Sequence, residues 1–119
     1  MEVKNSSITV MVSDFGKSID FYTNTLGLTL KARYGDNYAE VTAPGLTIGI
    51  HPAGEHKLTQ TDAVSIGFEV SDIQAAKQEL EAKGVLFAEG VRDNRQLLIA
   101  NFTDLDGTHL NIVQMKPRG

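Results

Sequence analysis

His51 and Glu69 are the two side chains of this sequence best suited to move a proton or receive a charged ligand. Each stands on a run of alternating apolar residues. In Leu46–His51, Ile48 and Ile50 take one side of a strand and leave Thr47, Gly49 and His51 on the other. In Ser65–Val70, Ile66, Phe68 and Val70 do the same and leave Ser65, Gly67 and Glu69 opposite. An imidazole titrates near neutrality and suits proton transfer. A carboxylate on such a face suits a general base or an anchor for a cationic group. The plainer readings are a half-exposed histidine at a strand end before Pro52 and a solvated rim carboxylate. His109 beside a turn and His56 in a polar stretch read as surface residues.

The same parity places further polar groups beside these two. Ile8, Val10 and Val12 point one way, so Ser7, Thr9 and Met11 point the other; Leu110 and Ile112 leave His109, Asn111 and Val113. Tyr34 and Tyr38, flanking Gly35-Asp36-Asn37, and Phe102 offer walls for a flat ligand, although core packing or hairpin pairing accounts for each as well. Arg33, Arg92 and Arg95 carry paired donors for an anion, yet nothing in their spacing brings them together. There is no cysteine, which excludes disulfides, thiolate metal sites and a cysteine nucleophile. No Ser-His-Asp order, phosphate loop or nucleotide-binding glycine fingerprint stands in a suitable context.

The elements that position these residues are written twice. Val-Ser-Asp occurs at 12–14 and again 58 residues later, at 70–72. Each copy ends an alternating strand on an aspartate suited to cap a helix. The first helix carries the stripe Phe15, Ile19, Tyr22 and Leu26 and closes at Gly27; the second carries Ile73, Ala76 and Leu80, with Glu79 and Lys83 paired, and closes at Gly84. Three strand-like runs follow each helix: Thr29–Tyr34, Tyr38–Thr42 and Leu46–His51, then Val85–Ala88, Leu97–Phe102 and His109–Gln114. Gly, Pro, Asn and Asp mark the breaks, among them Asp93-Asn94 and residues 104–107. The sequence predicts an α+β protein of two tandem β-α-β-β-β modules, at about 5–51 and 63–115, joined by a linker at 52–62.

Bulk properties bound the partners. The 119 residues suit one domain, and 41% apolar with 22% charged residues is an ordinary globular composition. A chain of this length buries a modest core, which makes a homodimer plausible. The net charge is −4 and no Lys/Arg cluster appears, so nucleic acid is not an expected partner. No stretch approaches the ~18 apolar residues of a membrane span, and residues 1–5 lack the apolar run of a signal peptide. A cytoplasmic protein that acts without a membrane is the expectation.

The doubled unit resembles the vicinal oxygen chelate superfamily, the glyoxalase/bleomycin-resistance/dioxygenase group. The likeness rests on Ile8-Thr9-Val10-Met11-Val12-Ser13-Asp14, Ser18-Ile19-Asp20-Phe21-Tyr22, Leu26-Gly27-Leu28 and Asp104-Leu105-Asp106-Gly107-Thr108. In the last motif Leu105 stands where the family has proline. The resemblance implies a curled mixed sheet with a cleft and a homodimer. It also implies four metal-ligand positions, which fall on Ser7, Gly49, Ser65 and Asn111. Two alcohols, a glycine and an amide do not replace His, Glu or Gln there, because a divalent cation needs imidazole or carboxylate lone pairs. Against those positions His51 lies two residues further along its strand and His109 two residues earlier, so His51, Glu69 and His109 are spread too widely for one ion. No metal and no cofactor are expected.

The predicted function is metal-independent binding of a small molecule, such as drug or metabolite sequestration. Its pocket would be lined by Ser7, Thr9, Tyr38, Gly49, His51, Ser65, Gly67, Glu69, Phe102 and Asn111, with Gly49 and Gly67 leaving space. One alternative is a glyoxalase-like lyase or isomerase that uses His51 or Glu69 as general base. Another is an accessory or regulatory dimerisation domain. The absence of tryptophan leaves no large stacking ring of the kind drug-binding relatives use.

Overall fold

Asp14 and Asp72 end the first strand of each module and start its helix. Asp14 Oδ1 accepts a hydrogen bond from Lys17 N, and Asp72 Oδ1 accepts one from Ala75 N, both at 3.0 Å. These are two of the free N–H groups that every helix start must satisfy. A computed structural model describes residues 1–59 and 61–117. It divides the chain into two compact units, Met1–Thr59 and Gln60–Gly119.

The first unit runs β1 (Ile8–Val12), α1 (Phe15–Asp20), a π-helical turn (Phe21–Thr25), β2 (Thr29–Tyr34), β3 (Tyr38–Ala43) and β4 (Leu46–Pro52). The second runs β5 (Ser65–Glu69), α2 (Ile73–Ala82), β6 (Val91–Asn94), β7 (Leu97–Thr103) and β8 (His109–Met115). Each unit holds its own four-stranded mixed sheet, ordered β1-β4-β3-β2 and β5-β8-β7-β6. The first strand lies parallel to the last and the remaining pairs are antiparallel. This is the predicted α+β pattern of two β-α-β-β-β modules. Among the described residues no helix is long and apolar enough to cross a membrane.

In each unit the helix covers one sheet face, and the alternating apolar residues face it. Val12, Tyr22, Val41, Ile48 and Ile50 are fully buried in the first unit, as are Ile73 and Leu110 in the second. The first helix departs from the regular stripe. After Asp20 it widens into the π turn, closed by Leu26 N donating to Phe21 O at 2.9 Å. The extra residue per turn lets the neighbours Phe21 and Tyr22 both reach the core.

A second departure concerns Val85–Ala88, which forms no strand. Val85 N instead closes the end of α2 on Leu80 O at 3.0 Å, Leu86 is 80% exposed, and Phe87 turns inward against the ring of Phe102. The strand falls later, at Val91–Asn94, where Asp93-Asn94 read as a break. As an edge strand it pairs on one side only, which tolerates its polar residues.

Candidate functional site

The sheet face turned away from the helix carries the candidate residues, and cross-strand register sorts them into rows. In the first unit Ala32 pairs with Glu40, Glu40 with Gly49, and Gly49 with Thr9. One row over, Tyr34 pairs with Tyr38 and His51 with Met11. Tyr38 and His51 are neighbours across β3 and β4, with ring centroids 6.5 Å apart. Tyr34 and Tyr38 lie 6.3 Å apart with their planes 22° from parallel, a stacked pair. The result is a strip Tyr34–Tyr38–His51–Met11 across all four strands, and Tyr34 is 60% exposed.

The ring of His51 is oriented by its own strand end. Its Nδ1 lies 2.8 Å from the carbonyl of Pro52. A carbonyl can only accept, so Nδ1 is the donor in this contact and Nε2 is the ring nitrogen left for another partner.

The glycines do not leave empty space. A Cβ on Gly49 would stand 2.4 Å from Tyr38 Oη and 2.9 Å from its Cε1; one on Gly67 would stand 2.8 Å from Asn111 Oδ1. Gly49 seats the Tyr38 ring and Gly67 seats the Asn111 amide. Space at these positions is occupied by the protein itself, which corrects the expectation drawn from the missing side chains.

In the second unit Ser65 pairs with His109, Gly67 with Asn111 and Glu69 with Val113. Ser65, Gly67 and Glu69 are exposed, while Asn111 is buried. His109 Nε2 is buried and 2.8 Å from an Asp62 carboxylate oxygen, without the alignment of a hydrogen bond. Ser7 precedes β1 and is exposed. Phe102 belongs to the opposite face: it pairs with Leu110, is 5% exposed and lies 5.2 Å from the ring of Phe87. It is a core residue, and the expectation of a ligand wall there is corrected.

Ser7 and Gly49 give the first unit one hydroxyl and no side chain, and Ser65 and Asn111 give the second one hydroxyl and one amide, so neither unit offers imidazole or carboxylate at these positions. Among the described residues no three His, Cys, Asp or Glu side chains come together as a metal-binding group.

The turn before the last strand is built by Asp104, which is 6% exposed. Its Oδ1 accepts from Asp106 N and Thr108 N, each at 2.9 Å, while Gly107 takes φ 87°. Leu105, in the middle of this turn, is 58% exposed. Because this turn aims β8, and with it Asn111, Asp104→Ala is expected to lower stability by about 1 kcal/mol through the lost acceptor. Urea denaturation checks this, with Asp104→Asn retaining most of the stability.

One feature was not foreseen from the sequence. A groove of about 470 Å³ opens on the second unit, lined by Arg92, Asp93, Asn94, Ile99 and Asn101. Arg92 pairs with Ile99 across β6 and β7. Residues 92–94 are polar throughout, with no apolar alternation to mark a strand, and Asp93-Asn94 reads as a break.

Comparison with known proteins agrees with this fold. The family model described as "Glyoxalase/Bleomycin resistance protein/Dioxygenase superfamily" matches residues 5–112. An uncharacterized protein of Mycolicibacterium smegmatis is 29% identical over 87 residues, 73% of this chain and 72% of that protein. A hypothetical protein of S. aureus superposes with a TM-score of 0.79 at 18% identity, covering 96% of this chain and 95% of the other. An antibiotic binding protein from a Streptomyces species, TnmS3, superposes with a TM-score of 0.74 at 20% identity, covering 98% and 100%.

Proposed function

The chain belongs to the glyoxalase/bleomycin resistance protein/dioxygenase superfamily, and from that premise we propose that it is a metal-independent binding protein for a small flat organic molecule, with a sequestering role. The observation that carries this reading is the Tyr34–Tyr38–His51–Met11 strip. Stacked rings held open on a sheet face present apolar area at little entropic cost. Beside it, Thr9 and Glu40 offer polar contacts that would orient a ligand. The lack of imidazole and carboxylate at Ser7 and Gly49 in the first unit, and at Ser65 and Asn111 in the second, supports metal independence. That a protein of the same fold is an antibiotic binding protein makes planar antibiotics the first compounds to try.

Thermal-shift screening against planar antibiotics and aromatic metabolites tests the reading. A ligand selective for the native state at a hundred times its Kd adds about 2.7 kcal/mol and raises the melting point. Tyr34→Ala and Tyr38→Ala should each reduce that shift. No shift with any compound overturns the proposal. Stoichiometric, tightly held Zn, Ni, Mn or Fe by elemental analysis overturns its metal-independent part. The reading includes a homodimer, which light scattering in line with size exclusion tests.

The orientation of His51, with Nε2 as the available base, favours a second reading as a lyase or isomerase. Turnover that disappears in a folded His51→Gln variant would establish it.

A further inference from the structure

We propose that the open face of the second unit binds a small elongated molecule with a carboxylate at one end, an ammonium group at the other and a flat apolar body between. This face shares no residue with the Tyr34–Tyr38–His51–Met11 strip and is a second candidate site beyond the reading above. The face carries one continuous row: Glu69 pairs with Val113, Val113 with Ile99, and Ile99 with Arg92. An acid on β5 and a guanidinium on β6 therefore stand at opposite ends of a two-residue apolar floor. Three strand spacings of ~4.8 Å separate their backbones by ~14 Å. With Arg92 released from Glu89 and both side chains turned over the floor, the two charged ends would come within the span of a drug-sized molecule.

The guanidinium end is a formed groove. Its volume of about 470 Å³ lies in the range of ligand pockets. Asn94 and Asn101 line it on the side of Arg92, and Ile99 forms its apolar part. Asp93 also borders it, but alternates to the other sheet face and is held by Lys116. The one full charge that β6 turns toward the groove is thus positive. Glu89 takes Arg92 Nη1 at 2.8 Å, in a pair whose partners are 60% and 58% exposed. Such pairs are weak and cheaply exchanged, whereas a ligand carboxylate can take two parallel N–H bonds from the fork. Asn94 and Asn101 amides would complete its hydrogen bonds. At the other end Glu69 is exposed and offers a carboxylate to an ammonium group.

The test is isothermal titration with four probes: an aminomethyl-biphenyl carboxylate, its carboxylate-only and amine-only analogues, and the neutral biphenyl amide. The two-ended probe is expected to bind about tenfold tighter than either one-ended probe. Arg92→Gln should bring it down to the affinity of the amine-only probe, and Glu69→Gln to that of the carboxylate-only probe. Both residues are exposed, so both variants should melt as the wild type does. Equal affinities for the two-ended and one-ended probes, or unchanged affinity in both variants, overturn the proposal. If the four probes fail while a neutral planar antibiotic still stabilises the protein, this inference falls and the small-molecule reading stands. If no compound of either set binds, both fall.

Discussion

Phe102→Ala is expected to cost about 3–5 kcal/mol of folding stability, the range for removing a buried aromatic ring. The reason is its surroundings. Phe102 is 5% exposed, packs its ring on Phe87 at 5.2 Å and sits beside Leu110 on the helix side of the sheet. Truncation removes contacts from three elements at once: β7, β8 and the segment after α2. Against a typical total of 5–15 kcal/mol the loss is a large share. Urea or thermal unfolding checks it, with Phe102→Leu as control, because that change keeps most of the volume and should cost less than about 1.5 kcal/mol. A ligand wall would behave in the opposite way. Binding would fall and stability would hold, and that outcome would return Phe102 to the site.

Phe102 also shows where reading the sequence stops. The repeat, the two capping aspartates and the parity of Thr47, Gly49 and His51 were legible, because each depends on spacing within one element. Ile48 and Ile50 alternate with polar or small residues, so their side of the strand is unambiguous. Leu97–Ala100 is apolar throughout, and a continuous run says nothing about which residue faces the helix. Only pairing with β8, itself well patterned, assigns Phe102 to the core.

The same limit explains Val85–Ala88. Four apolar residues have the composition of a strand, yet Phe87 satisfies itself against Phe102 without any strand partner. The strand then fell to the polar segment 91–94, whose edge position removes the need for two apolar faces. The groove on that edge was illegible for a related reason. Its lining residues come from two strands and become neighbours only through register.

Gly49 is the position where a sequence shows an absence but not what fills it. Adding a Cβ there places a carbon 2.4 Å from Tyr38 Oη and 2.9–3.0 Å from two ring carbons. The ring must leave its seat, and with it the stacking on Tyr34 and the contact with His51. Gly49→Ala is therefore expected to lower stability by about 1–3 kcal/mol, the range for overpacking a well-filled site. In a Tyr38→Ala background the obstruction is gone. The same substitution should then be neutral or stabilise by up to about 1 kcal/mol, because alanine restricts the unfolded chain more than glycine does. A double-mutant cycle by urea denaturation reads the difference as a coupling of at least about 1 kcal/mol between the two residues. A cost for Gly49→Ala that is the same in both backgrounds would mean that the obstruction is backbone, and the Tyr38 ring would then lie elsewhere. Ligand binding gives the second readout. If the strip is the platform for a flat molecule, displacing Tyr38 through Gly49→Ala weakens binding without deleting any aromatic residue.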